Sequence, residues 1–180
     1  MGQTTSNTKF IKATAEQVYQ AFTDPKALET WLAPGDMTGK VHHFNWREGG
    51  GYGMSLFYPV NEKEMRGKTS AKEDRYTAKL VKLKPFKQII QAIHFDSPDP
   101  GFAGEMIMEV SFDQTADGTN VTFLFKNIPT GIRPEDNEKG TLLTMEKLAH
   151  YVEQGGNIVN QKNEIDEQYS DGSANAFEDK

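Results

Sequence analysis

The stretch TLLTMEKLAHYVEQGG, residues 141–156, decides the fold of this chain. Its apolar side chains recur every three or four residues, so they share one face of a helix. A glycine pair at its end is typical of a helix terminus. Because an amphipathic helix needs an apolar surface to cover, we expect it to lie against a sheet. The face comprises Leu142, Met145, Leu148, Ala149 and Val152.

The segments that could form this sheet precede the helix and alternate apolar with polar side chains. The alternation is clearest at residues 52–58, 106–112 and 121–125, and Asp117-Gly118 predicts a hairpin between the last two. A period of two implies one buried and one wetter face, which favours antiparallel pairing. Further strands are expected at about residues 9–13, 41–47, 75–84 and 88–96.

Two short helices are predicted between the first strand and the rest. Thr14 and Gln17 match a capping box, and Asp24-Pro25 places a cap before a proline at the first helical position. Residues 134–140, before the last helix, are polar and predict a turn. The expected class is therefore α+β, with an antiparallel sheet of about six to seven strands and a long C-terminal helix.

The 180 residues are enough for one domain, with a segment left over at each end. We expect residues 1–7 to be a disordered leader and residues 8–154 to form the folded domain. Residues 155–180 are polar and rich in acids, so they cannot bury enough apolar surface to offset the entropy of ordering. They are predicted to be a flexible acidic tail.

Composition excludes several classes of function. The net charge is −6, with 26 acidic against 20 basic residues, which argues against a nucleic-acid partner. The chain has no cysteine, so disulfides and zinc-thiolate sites are ruled out. It also lacks an apolar run of roughly 20 residues for a membrane span. Its polar beginning does not resemble a secretory signal, so a cytoplasmic location is expected.

Several short segments resemble one known family when their order and spacing are taken together. They are DPKAL at residues 24–28, WLAP at 31–34, GGGYGMSL at 49–56, FAGEM at 102–106, NIPTGI at 127–132 and PED at 134–136. In this order the chain resembles the activator-of-heat-shock-protein-90-ATPase homologues of the START-like (SRPBCC) superfamily.

The resemblance implies a helix-grip fold, in which a curved antiparallel sheet wraps around the C-terminal helix and leaves an internal apolar cavity. Members of the superfamily include carriers of lipids and other hydrophobic ligands, polyketide cyclases and a eukaryotic cochaperone domain. Three functions are therefore considered. They are binding of a small aromatic or lipid-like molecule, action as a cochaperone of a heat-shock-protein-90 homologue in the stress response, and cyclase or hydratase catalysis.

One set of apolar side chains and one amide are the candidate ligand-binding residues. Methionine is adaptable, so a pocket lined by it accepts varied shapes, although the same set would also make an ordinary core. Gln91 shares the strand parity of Ile89 and Ile93, where a buried amide must be hydrogen-bonded or could anchor a ligand oxygen. The full set is Trp31, Met54, Tyr58, Gln91, Met106, Met108, Phe123 and Met145.

Other motifs offer little chemistry. The glycines at 49–51 are followed by a strand, so a turn is favoured over a phosphate-binding loop. His42 and His43 are adjacent, and adjacent residues of a strand are expected to point to opposite faces, which disfavours a shared metal ion. No acid–base pair or nucleophile motif is recognisable. No catalytic residue, metal or cofactor is therefore assigned, and catalysis is the least favoured of the three functions.

Overall fold

The computed structural model describes residues 2–61 and 67–156, which form one open sheet covered by α-helices. The strands are β1 (Gln3–Ile11), β2 (Thr38–Asn45), β3 (Gly51–Phe57), β4 (Glu73–Lys84), β5 (Gln88–Phe95), β6 (Met106–Gln114) and β7 (Thr119–Ile128). The helices are α1 (Ala15–Gln20), α2 (Pro25–Trp31) and α3 (Pro134–Glu153), with a 3-10 turn at Pro100–Phe102.

All neighbouring strands pair antiparallel, in the order β1-β7-β6-β5-β4-β3-β2. Strands β1 and β2 follow each other in the chain but lie at opposite edges of the sheet, so α1 and α2 connect the two edges. Helix α3 packs along β1 and against α2, and we call the face beneath it the inner face. The predicted α+β helix-grip architecture is confirmed, with seven strands.

The two short helices begin where their caps predict. The side chain of Thr14 accepts a hydrogen bond from the backbone of Gln17, and the Gln17 side chain accepts one from the backbone of Thr14. The side chain of Asp24 accepts a hydrogen bond from the backbone of Lys26 at 3.0 Å. Each bond satisfies an N–H group that has no partner within its helix.

Helix α3 differs from the prediction in two respects. It begins at Pro134, so residues 134–140 are helical rather than a turn. Its buried stripe includes Met145, Leu148 and Val152, as predicted, but Leu142 is 46% exposed. Thr141 and Thr144 are buried instead, since the Thr144 hydroxyl donates a 2.9 Å hydrogen bond to the carbonyl of Leu32. A polar contact with the end of α2 thus sets the rotation of the helix.

The expectation of a disordered leader is wrong for residues 3–7. Strand β1 begins at Gln3, and Thr5, Asn7 and Lys9 pair with Phe125, Phe123 and Val121 of β7. The polar side chains of residues 3–7 gave no signal of a strand, because β1 is an edge strand with one face exposed to solvent. The predicted tail is described only as far as Gly156, so residues 157–180 lie outside the described part.

The glycine run forms the predicted turn between β2 and β3. Gly49 has a φ of 80°, a conformation that favours glycine, and its N–H donates a 2.8 Å hydrogen bond to the carbonyl of Leu80 on β4. Across residues 2–61 and 67–156, none of the helices has both the length and the apolar character required to cross a membrane.

Candidate functional site

Gln91 lies on the inner face of β5 and is 2% exposed. Its side-chain oxygen accepts a 2.9 Å hydrogen bond from the hydroxyl of Tyr52. Its amide nitrogen contacts the sulfur of Met108 at 3.1 Å. A thioether is a weak acceptor, so the donor side of this buried amide has a poorer partner than the acceptor side.

A second buried tyrosine, Tyr76 of β4, lies close to the pair formed by Gln91 and Tyr52. It is two residues from Ala78, which pairs with Tyr52, and its side chain shares the inner face. Burial raises the pKa of both phenols well above the ordinary value of 10.0. Both tyrosines therefore remain neutral hydrogen-bonding groups at neutral pH.

A second polar cluster lies near the start of β4, around Asp74, which is 3% exposed. Its carboxylate forms an ion pair with the ammonium of Lys68 at 2.6 Å and accepts a 3.0 Å hydrogen bond from Tyr58. Burial, followed by the charge of Asp74, raises the pKa of Tyr58. Asp74 and Tyr76 are two residues apart on β4 and share its inner face, so this cluster lies close to the first one.

The structure thus places Tyr58 differently from the other candidate residues. It follows the end of β3 and is only partly buried, with its hydroxyl directed to Asp74. Tyr58 was expected to continue the alternation of the strand and face inward, but the strand ends at Phe57 and Tyr58 lies in the loop that follows. The hydroxyl of Tyr58 therefore bonds to Asp74, whereas the buried amide of Gln91 is bonded to Tyr52.

The four candidate methionines are all buried in the core. Met106 and Met108 pair with Ile93 and Gln91 across β5 and β6, and Met54 pairs with Tyr76 across β3 and β4. Met145 belongs to the buried stripe of α3, which covers the inner face. Flexible thioether side chains of Met54 and Met108 therefore lie beside Tyr76 and Gln91.

Trp31 and Phe123 form an aromatic group on the α2 side of the core. Both contact Phe22, with ring centroids 4.7 Å and 6.2 Å away respectively. The indole N–H of Trp31 donates a 2.9 Å hydrogen bond to the carbonyl of Ala21, so its polar atom is already paired. These two residues supply apolar surface and no free polar group.

Sequence reasoning missed Tyr52, Tyr76 and Asp74 as members of the site. Tyr52 shares the parity of Met54, and this signal placed it on the inner face without indicating its hydroxyl partner. Tyr76 and Asp74 share the same parity on β4. The contact of Tyr52 with Gln91 depends on how β3, β4 and β5 align, and the sequence pattern does not contain that information.

The expectation that His42 and His43 point to opposite faces is wrong. The pairing shifts between Val41 and His43, which marks a bulge, and a bulge adds an unpaired residue to one strand. His42 contacts Ser55 and His43 lies over Gly53, both on the outer face of β3. In the described part of the chain, no group of three or more His, Cys, Asp or Glu side chains is arranged to hold a metal ion.

Comparisons with known proteins agree with this architecture. The family model for the activator of Hsp90 ATPase homolog 1-like protein matches residues 12–153. A crystal structure of a Chromobacterium violaceum protein is similar, with 28% identity, a TM-score of 0.74, and coverage of 83% of this chain and 96% of that one. No protein with a curated function matches the chain.

Two more distant structures share the fold. An AHSA1-like protein from Aeromonas hydrophila is 18% identical, with a TM-score of 0.65, covering 86% of this chain and 94% of that one. A protein from Staphylococcus epidermidis is 19% identical, with a TM-score of 0.66, covering 86% and 92%. At such identities the likeness concerns the fold alone.

Proposed function

Because the chain belongs to the family of activator of Hsp90 ATPase homolog 1-like proteins, we propose that it binds a small hydrophobic molecule between the sheet and α3. The proposed ligand is aromatic or lipid-like and carries one carbonyl or hydroxyl oxygen. Gln91 is its polar anchor. The apolar contacts are assigned to Trp31, Met54, Met106, Met108, Phe123 and Met145, with Tyr58 at the polar end.

The amide of Gln91 is the observation that carries this proposal. Its N–H group has the sulfur of Met108 as its partner at 3.1 Å, whereas its oxygen is held by Tyr52 at 2.9 Å. An oxygen of a ligand is a stronger acceptor than a thioether, so exchanging one for the other is favourable. Tyr52 keeps the amide oriented while that exchange occurs.

The surroundings of Gln91 suit a ligand of variable shape. Ligand pockets are mostly apolar with a few polar anchors, and the core around this amide has that composition. Met106, Met108 and Met145 are buried but unbranched, so their side chains can change rotamer at low cost. We expect entry of the ligand to move these methionines and leave the sheet unchanged.

Methyl NMR of the methionines tests the proposal directly. A fatty acid and a flavonoid are titrated into the protein, and the signals of Met54, Met106, Met108 and Met145 are followed. These signals should shift, while the signal of Met37, in the loop after α2, serves as the internal control. The proposal fails if no compound moves the buried methyl signals, or if all methionine signals move equally.

A matched pair of variants tests the anchor. Gln91→Met keeps the length of the side chain but removes the amide, and affinity for a carbonyl-bearing ligand should fall by about two- to tenfold, the equivalent of one neutral hydrogen bond. Gln20→Met makes the same change at an exposed position of α1 and should leave affinity unchanged. Equal affinity of Gln91→Met and the natural protein would remove Gln91 from the site.

The description of the matching family supports a second candidate, that of a cochaperone. On this hypothesis the protein stimulates the ATPase of an Hsp90 homologue through its surface. Adding the protein to the purified Hsp90 homologue of the same organism should raise the rate of ATP hydrolysis. Gln91→Met should stimulate equally, because the amide is buried. An unchanged ATPase rate would argue against this candidate.

A further inference from the structure

A groove of about 330 Å³ lies on the outer face of the sheet, on the side away from the proposed ligand site. Its floor follows one register line, His43 to Gly53 to Thr77 to His94, across strands β2 to β5. The bulge in β2 turns the neighbouring His42 toward this same face. The lining residues are His42, His43, Gly53, Arg75, Tyr76, Thr77, His94, Phe95 and Asp96.

The absence of a side chain at Gly53 makes room for the ring of His43. A methyl group at this position would lie 2.6 Å from Cε1 and 2.7 Å from Nδ1 of the His43 ring. The ring of His43 therefore rests where the side chain of residue 53 would otherwise be. The histidine can lie across the sheet surface only because this residue is glycine.

His42 is held by a serine that is fully buried on the outer face. The hydroxyl of Ser55 donates its single proton to the carboxylate of Glu73. The contact of 2.7 Å between Nε2 of His42 and the Ser55 oxygen is therefore a bond that His42 donates. This arrangement sets the orientation of the ring and leaves Nδ1 as its other polar atom.

The remaining polar groups of the groove are loosely paired. Nε of Arg75 is 3.9 Å from the carboxylate of Asp96, and both side chains are more than half exposed. His94 is 3.4 Å from Glu105, and these two are also about half exposed. Exposed pairs of this kind contribute little to stability, so a stronger anion can replace the carboxylate partners.

We propose that this groove binds a small molecule that carries a phosphate monoester. The planar guanidinium of Arg75 matches phosphate oxygens in a bidentate way, and the imidazoles of His43 and His94 supply further donors. The organic part of the ligand lies over Thr77, whose side chain is on the outer face beside His94. The volume is at the lower end of the range for small-molecule sites.

Titration with phenyl phosphate, followed by the histidine ring signals in NMR, tests the proposal. The signals of His42, His43 and His94 should shift with a dissociation constant of about 0.1–10 mM. Phenol should produce no shift of these signals, benzoate a weaker shift than phenyl phosphate, and inorganic phosphate a shift of the same histidine signals. No shift with phenyl phosphate, or an equal affinity for benzoate, would overturn the assignment of a phosphate site.

Charge variants distinguish specific binding of phenyl phosphate in the groove from nonspecific electrostatic attraction of the anion to the protein. Arg75→Gln should weaken phenyl phosphate binding about tenfold, the equivalent of one charge-assisted hydrogen bond. Asp96→Asn should strengthen it by about two- to fivefold, because the competing carboxylate is removed. Lys82→Gln removes one charge from the same strand, seven residues and about 23 Å away, and should have no effect. Equal losses for Arg75→Gln and Lys82→Gln would contradict the proposal.

Two further variants distinguish binding of phenyl phosphate in the outer groove from binding at the proposed site around Gln91. Gly53→Ala places a methyl group against the His43 ring and should reduce phenyl phosphate binding, with an unfolding curve that confirms the fold is kept. Gln91→Met should bind phenyl phosphate as the natural protein does, since its side chain lies on the opposite face. If Gln91→Met abolished binding, the ligand would occupy the inner site and the outer groove would be excluded.

Discussion

The hydroxyl of Tyr52 on β3 donates a 2.9 Å hydrogen bond to the side-chain oxygen of Gln91 on β5, although strand β4 lies between them. Two positions of β4 lie in register with these residues. Ala78 is opposite Tyr52 and Leu80 is opposite Gln91. The small side chain of Ala78 leaves room for the tyrosine to extend across β4. The bond therefore connects β3 with β5 across the inner face of β4.

Replacing Gln91 by leucine should lower the free energy of unfolding by about 1–3 kcal/mol. The change leaves the hydroxyl of Tyr52 buried without its acceptor. Urea unfolding of Gln91→Leu, Tyr52→Phe and the double variant measures the coupling between the two side chains. The double variant should lose less than the sum of the single losses. Additive losses would show that the two groups do not interact in solution.

Alkaline pH should reveal the buried tyrosines. Burial raises the native pKa of Tyr52 and Tyr76 above the 10.0 of a free phenol, so the folded protein keeps protons that the unfolded chain releases. The contribution of these groups to stability is therefore complete below about pH 10 and decreases as the pH rises further. The free energy of unfolding should fall over this range.

Ultraviolet absorbance of tyrosinate after a rapid rise in pH measures this effect. Tyr52 and Tyr76 should ionise only as the protein unfolds, giving a slow phase that decreases in Tyr52→Phe and Tyr76→Phe. Immediate ionisation of every tyrosine, with no slow phase, would show that these two phenols are accessible to solvent in the folded state.

Lys147 of α3 should stabilise the docking of that helix. Its ammonium donates hydrogen bonds to the carbonyl of Ala33 and, at 3.3 Å and 3.5 Å, to those of Gly35 and Met37. Partial burial lowers the pKa of this side chain. Lys147→Met deprives the three carbonyls of their donor and should cost about 1–2 kcal/mol, measured by urea unfolding.

The matched control for that variant is Lys139→Met, at an exposed position of the same helix. It should change the free energy of unfolding by no more than about 0.5 kcal/mol. Equal losses in the two variants would attribute the effect to helix charge and exclude a specific contact with residues 33–37.

Two glycine substitutions should have opposite effects. Gly140 is inside α3, and a methyl group there would meet nothing within 4 Å, so Gly140→Ala should stabilise the protein by about 0.5–1 kcal/mol. Gly51 lies against β4, where a methyl group would overlap the backbone carbonyl of Ala78. Gly51→Ala should destabilise by about 2 kcal/mol or more.

Thermal unfolding of both variants checks this pair of predictions. A loss of stability in Gly140→Ala would mean that helix α3 needs flexibility at residue 140. An unchanged Gly51→Ala would mean that strands β3 and β4 are further apart in solution than their pairing indicates.

The sequence predicted which side chains of the candidate site are buried, but it did not predict which of them contact each other. Gln91, Met54, Met106, Met108 and Met145 were assigned to the inner face from strand and helix periodicity, and all are buried. The partners of the Gln91 amide could not be predicted, because Tyr52 is 39 residues away in the chain. Register across three strands decides that contact, and alternation along one strand carries no information about it.

The amino-acid sequence alone determined the order of the elements, the two helix caps, the glycine turn and the inner face, since each depends on neighbouring residues and a local period. Tertiary structure decided the rotation of α3, the start of β1 at Gln3 and the shared face of His42 and His43. These features depend on contacts with distant segments, such as Leu32 with Thr144 and Ser55 with His42. Local preferences are too weak to specify such contacts, and packing and hydrogen bonding in the folded chain select them.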